Sequence, residues 1–226
     1  GKSSYKLTVA DLENETVKDI TVNVMVDYKE DPIYYTNIYE KAGKKIGYIV
    51  YNFFSPDNGE SSDNNESNDA DGYKYDIAFV KKIAEFKAAG VKDVIIDLRY
   101  NGGGRVSSAV NIARALVPER NASKIFSYNE YNADYQAYIV GEEGADILND
   151  YFAEKIDVTN KRGTVLSSTP IDPIDANIYI IATTYSASAS ELLINGIRAY
   201  RTVTHIGQKT VGKNVGSFSF YEADDS

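Results

Sequence analysis

Residues 5–26, YKLTVADLENETVKDITVNVMV, alternate apolar and polar positions on either side of a polar centre. A period of two sets successive side chains on opposite faces, so this stretch predicts two strands joined by a polar turn. Ile46 to Phe54, IGYIVYNFF, is a near-continuous apolar run and predicts a buried strand. From Asp76 the period lengthens. Phe79, Ile83 and Phe86 recur at i, i+4 and i+7, one face of a helix, and Gly90 suits its stop. VKDVIIDLRY is another buried run, followed by a glycine turn and a helical stretch ended by Pro118. Residues 119–172 are polar and rich in tyrosine, and predict only a short helix within 135–151. Ile178 to Thr184, IYIIATT, predicts a buried strand, Ser186 to Tyr200 a turn and a helix, and TVTHIG a short strand. Strands alternating with helices in this order predict an α/β fold with a mostly parallel sheet. Two segments emerge, 1–30 with the early strands and 31–226 with the α/β core.

Composition narrows the function. Of 226 residues, 43% are hydrophobic, enough for a packed core, and no apolar run reaches the length of a membrane span. No leader of charged, apolar and small residues stands at the N-terminus. The net charge is -9 without a basic stripe, which argues against a nucleic-acid partner. Cysteine is absent, which removes disulfides, thiolate metal sites and cysteine nucleophiles. The single histidine, His205, falls within a predicted strand, so a histidine-rich metal site is excluded and a Ser-His pair has one candidate. The 19 tyrosines fit packing on strand faces or, alternatively, a surface for stacking sugars.

The acidic stretch SPDNGESSDNNESNDADG, Ser55 to Gly72, reads as a solvated loop. As a calcium loop it fails twice: Ser67 would be the first ligand, and the twelfth position falls on Ala78 where a glutamate is needed. GQKTVGKN matches a phosphate-binding loop through Gly207, Gly212 and Lys213, but Asn214 replaces the Ser or Thr and strand-like alternation follows. NGGG, Asn101 to Gly104, lacks the third glycine of a dinucleotide fingerprint, where Ser107 stands. It reads either as a tight turn or as a row of exposed amides that could hold an oxyanion.

TTYSASASELLINGIRAY, Thr183 to Tyr200, alternates serine and alanine where a helix should begin. Ser188 to Glu191 fit the S-x-x-E capping box. The same place, beyond the end of a buried strand and at a helix N-terminus, also suits a nucleophile. A base would then be needed. Lysine ordinarily keeps its proton to about pH 10.4, so serving as base near neutrality requires burial among apolar groups at about 4 kcal/mol. Lys213, in TVGKNVGS, has the glycine-rich, apolar setting for that, whereas Lys209, Lys81 and Lys82 are expected to face solvent.

Taken together, DLRYNGGG and SASASELLINGIRAYRTVTHIGQKTVGKN resemble the motifs of the carboxyl-terminal processing peptidases, or tail-specific proteases, most closely the branch found in Bacteroidota cell envelopes. The likeness spans residues 44–217, with the acidic loop and 119–172 poorly matched. It implies a Clp-protease and crotonase-like core of ββα units, preceded by the last strands of a PDZ-like domain in residues 1–30, and a core that continues beyond Ser226. It implies a serine endopeptidase with a Ser-Lys dyad acting on protein or peptide C-terminal regions, without metal or cofactor, at the cell envelope. Ser188 would be the nucleophile and Lys213, 25 residues later, the base. The backbone N–H groups of Ala189 and Gly104 would form the oxyanion hole. Family members often carry a glutamine four residues after the lysine; here that position is Ser217, a weaker hydrogen-bond partner. The alternative is a catalytically idle peptide-binding homologue on the same scaffold.

Overall fold

The computed structural model describes residues 3–11, 13–14, 16–25, 30–56, 72–119, 123–160 and 162–217. Most of the acidic loop, including the calcium-loop candidate at Ser67, lies outside these residues. The chain divides into two units, residues 1–30 and 31–226. In the first, β1 (Ser4–Asp11) and β2 (Thr16–Asn23) pair antiparallel, as the alternation predicts, from Ser4 opposite Asn23 to Asp11 opposite Thr16. A Lys6–Asp19 ion pair at 2.8 Å and a bond from Thr8 Oγ1 to Asp19 tie the strands on one face.

The second unit is built on a five-stranded sheet. Its elements in chain order include β3 (Ile33–Lys41), β4 (Lys44–Tyr51), α1 (Lys74–Ala88), β5 (Asp93–Asp97) and α2 (Val106–Leu116). After a smaller region come β10 (Asn177–Ala182), α4 (Ala189–Arg198) and β11 (Val203–Gly207). The sheet order is β11-β10-β5-β4-β3. β4, β5, β10 and β11 run parallel, and β3 joins antiparallel at one edge. Three of these parallel strands, β4, β5 and β10, are the apolar runs of the sequence. One face, with Ile49, Tyr51, Val94, Ile96, Ile178, Ile180 and Ala182, is buried with α1, α2 and α4 in a single core. Phe79, Ile83 and Phe86 supply the buried stripe of α1. Gly47 is required here: a Cβ on it would fall 2.3 Å from the Phe86 ring. The other face carries Tyr35, Tyr39, Tyr48, Ile95 and Tyr179, all partly exposed.

The intervening region, for which the sequence predicts only a short helix, folds as β6 (Ile125–Tyr128) paired with β7 (Asn149–Tyr151) and β8 (Lys155–Thr159) paired with β9 (Val165–Pro170). Between β6 and β7 lie α3 (Ala133–Glu143) and a 3₁₀ turn, Ala145–Leu148. A few apolar anchors hold it to the core. Phe126 packs edge-on against Phe152, and Phe152 against Tyr200.

Candidate active site

Parallel pairing puts the carboxyl ends of β5 and β10 side by side, where open α/β sheets place their sites. NGGG leaves β5 there, and the serine turn leaves β10. The two turns are sewn together. Leu98 N donates to Ile181 O at 2.8 Å and Ala187 N to Asn101 O at 3.3 Å. Thr183 Oγ1 donates to Arg99 O at 2.8 Å.

The three alternating serines divide their roles. Ser186 and Ser190 are fully buried. Ser186 Oγ donates to Leu98 O at 2.7 Å, and Ser190 Oγ to Asn101 O at 2.9 Å. Each ties the serine turn to the glycine turn. Ser188, between them, is only half-buried and leads into α4. Its backbone has φ 56° and ψ −117°, a region that L residues other than glycine rarely adopt. Such strain, about 1–3 kcal/mol, persists only where the surroundings enforce it.

Asn101 organises the facing turn from a fully buried position. Its side chain donates to Tyr51 O and accepts from Gly103 N, each at 2.9 Å. Gly103 lies directly on the serine turn: a Cβ on it would stand 2.7 Å from Ser188 Cβ and 2.9 Å from Ala189 N. Gly104, at φ +141°, is pressed on Phe54, where a Cβ would meet the carbonyl oxygen at 1.9 Å. Gly103 N is therefore occupied. Among the described residues, the amides of Gly104 and Ala189 donate to no protein acceptor.

Glu191 is the residue whose reach the sequence understates. Its carboxylate, 8% exposed, accepts from Ser188 N at 2.9 Å, as a capping box requires. It also accepts from Lys213 N at 2.9 Å and Gly212 N at 2.5 Å. One carboxylate oxygen, Oε2, thus receives the amides of both Ser188 and Lys213. Burial works to raise its pKa, but the Thr210 hydroxyl and the three amides together hold it below the usual glutamate value. The approach to Lys213 is fixed by Gln208 N to Ala182 O at 2.9 Å and Val211 N to Ser186 O at 3.1 Å.

The backbones of Ser188 and Lys213 are brought together; their side chains are not bonded. No hydrogen bond joins Ser188 Oγ to Lys213 Nζ, and residues 211–217, Lys213 and Ser217 included, are exposed. No helix follows Lys213 within the described residues, as a phosphate loop would need. The strand expected over 215–220 is absent from 215–217, and the remainder lies outside the described residues. His205 is half-buried at the middle of β11, in register with Ile180, short of the strand's carboxyl end.

Beside NGGG, Asp97 is buried and paired with Arg99, Nη2 to Oδ2 at 2.7 Å. Burial would raise its pKa, yet the bonds from Arg99 and Tyr48 outweigh it and hold the carboxylate ionised below the usual range. Tyr48 Oη donates to Asp97 at 2.6 Å, and burial with that carboxylate pushes the phenol up to about 12. Among the described residues there is no cluster of three or more His, Cys, Asp or Glu able to hold a metal, and no helix is long and apolar enough to cross a membrane.

Comparison with known proteins places this arrangement. Residues 45–225 match the model of peptidase family S41. A carboxyl-terminal-processing protease of Picosynechococcus is 25% identical over 213 residues, which cover 94% of this chain and 39% of that protein. A probable CtpA-like serine protease of Staphylococcus aureus is 23% identical, covering 95% of this chain and 33% of that one. The crystal structure of a putative S41 protease from Bacteroides fragilis superposes with a TM-score of 0.64 at 21% identity, covering 97% of this chain and 50% of that one. The chain thus spans two fifths or less of these curated relatives. With the match extending over most of its length and through both turns of the site, the chain belongs to peptidase family S41.

Proposed function

We propose that the protein is a serine endopeptidase with a Ser188–Lys213 dyad, cleaving proteins or peptides in their C-terminal regions. The observation that carries this reading is the shared Glu191 oxygen, which holds the backbones of both residues to one point. Two features support it: the strained turn under Ser188, and the undonated amides of Gly104 and Ala189 on the two facing turns. In the reaction, Lys213 Nζ takes the proton of Ser188 Oγ as that oxygen attacks the peptide carbonyl carbon. The carbonyl oxygen gains the negative charge, and the amides of Gly104 and Ala189 hydrogen-bond to it. The Lys213 ammonium returns the proton to the leaving amine, leaving an ester on Ser188. Water, deprotonated by Lys213, then attacks the ester carbon; Ser188 leaves with the proton and the carboxylate product departs.

The names of relatives in this family support the substrate class, and the fold likeness to the Bacteroides structure supports an S41 peptidase fold, whose core in this reading has the Clp-protease and crotonase-like arrangement of ββα units. In the same reading, residues 1–30 are the last strands of a PDZ-like domain, the protein resides at the cell envelope, and Ser217 assists Lys213. A β-lactone that acylates activated serines tests the dyad. Mass spectrometry is expected to locate one adduct on Ser188, absent in Lys213→Ala. Labelling that Lys213→Ala leaves unchanged would remove the lysine from the mechanism. The second reading, an idle peptide-binding homologue, is favoured by one observation: Lys213 is exposed and makes no bond to Ser188.

A further inference from the structure

Two tyrosines flank the site without a role in the chemistry above. Tyr100 precedes NGGG on the turn after β5, and Tyr185 lies three residues before Ser188 on the turn after β10. They are 73% and 72% exposed, among the most exposed large side chains of the second unit. Their backbones, in contrast, are held firmly. Thr183 Oγ1 bridges them, donating to Arg99 O, the carbonyl of Tyr100's own peptide bond, and accepting from Tyr185 N at 3.3 Å. The buried Ser186 hydroxyl closes the same knot, accepting from Thr183 N and donating to Leu98 O. Among the described residues, the one ring partner of Tyr100 is the Arg99 guanidinium, 6.0 Å from its centroid, and Tyr185 has none.

Exposed aromatic rings on a fixed backbone are costly to leave in water and lose little freedom on binding, which makes tyrosine a preferred contact in recognition sites. Val106, Val211 and Val215, close in sequence to NGGG and Lys213, add exposed apolar side chains among the polar ones of these segments. Resting on the peptidase reading, we propose that Tyr100 and Tyr185 are specificity-determining residues, which receive an aromatic or large aliphatic side chain of the peptide beside the scissile bond. The recognition is of shape and apolar surface, so phenylalanine should retain it and alanine should not.

The test uses matched peptides differing at one residue next to the cleavage point, phenylalanine or alanine, offered to the wild-type protein and, for binding alone, to the Ser188→Ala protein. Binding of the phenylalanine peptide is expected to be about tenfold tighter than that of the alanine peptide. Tyr100→Ala and Tyr185→Ala should each shrink that ratio severalfold, and Tyr→Phe at either position should restore it. In cleavage the loss should fall on KM more than on kcat. Equal affinity for the two peptides, or a ratio the alanine variants leave intact in a folded protein, overturns the proposal. Tyrosine-dependent binding without cleavage by wild type upholds it while removing the peptidase reading.

Discussion

At the residue scale, the backbone of Ser188 and the carboxylate of Glu191 carry most of the local account. Because Ser188 holds φ 56°, Ser188→Gly should relieve strain and raise stability by about 1 kcal/mol after glycine's greater unfolded freedom is set against it. That is roughly 2–4 °C in Tm for a chain of this size, read by differential scanning calorimetry, with activity abolished. Ser188→Ala keeps the strain and should not gain. Glu191 gives a pH prediction. Its folded pKa is depressed, so its contribution to stability is complete above the unfolded value of about 4.3 and is lost as pH falls toward the folded value. Urea titrations from pH 7 to pH 3 should show Glu191→Gln less stable at pH 7 and the gap narrowing below about pH 4.3. A gap constant with pH would contradict the depressed pKa. The sequence exposed half of this: S-x-x-E reads as a capping box, and the box is there on the Glu191 side. The other half, a carboxylate bonded to the amides of Gly212 and Lys213, is a contact across some twenty residues that no local pattern encodes. In the same way the alternating serines were conspicuous, but their division into two buried ties and one half-buried serine between them follows from how β5 and β10 lie together.

At the scale of elements, the glycine turn and the strands beneath it set the site. Gly104 and Gly102 make a contrast. A Cβ on Gly104 meets Phe54 O at 1.9 Å, whereas one on Gly102 meets nothing within 4 Å. Gly104→Ala should cost more than about 2 kcal/mol by chemical denaturation and abolish activity, and Gly102→Ala should change stability by no more than about 0.5 kcal/mol. Elements whose burial is one-sided or complete were legible: α1 from Phe79, Ile83 and Phe86, and β5 and β10 from their apolar runs. β3 was not. Its tyrosines and isoleucines fall on both parities, and a bulge between Ile33 and Tyr35 breaks what alternation remains. The strands β6 to β9 were hidden because each is short, and only β6 and β8 send a buried side chain into the core, Phe126 and Ile156. Phe152, just after β7, is a further anchor, 1% exposed between Phe126 and Tyr200. Phe152→Ala should lower stability by about 3–5 kcal/mol, measured by urea unfolding.

For the molecule as a whole, the order of strands and helices was enough to expect a mostly parallel α/β sheet, and the acidic net charge argues against a nucleic-acid partner. Ser188 and Lys213 came from motif resemblance rather than from periodicity, since neither a serine at a helix start nor a lysine in a glycine-rich loop is distinctive alone. The structure adds that a parallel sheet brings NGGG and the serine turn into contact, and that the loop of Lys213 returns to the same carboxylate. The central claim is that these pieces form a working dyad. Digestion of casein, followed by release of soluble peptides, tests it most directly when wild type is run beside Ser188→Ala and Lys213→Ala, with folding of each checked by circular dichroism. Cleavage by wild type, with both variants reduced at least a thousandfold, is the predicted result. Three folded and equally inert proteins, or a Lys213→Ala protein as active as wild type, would contradict it.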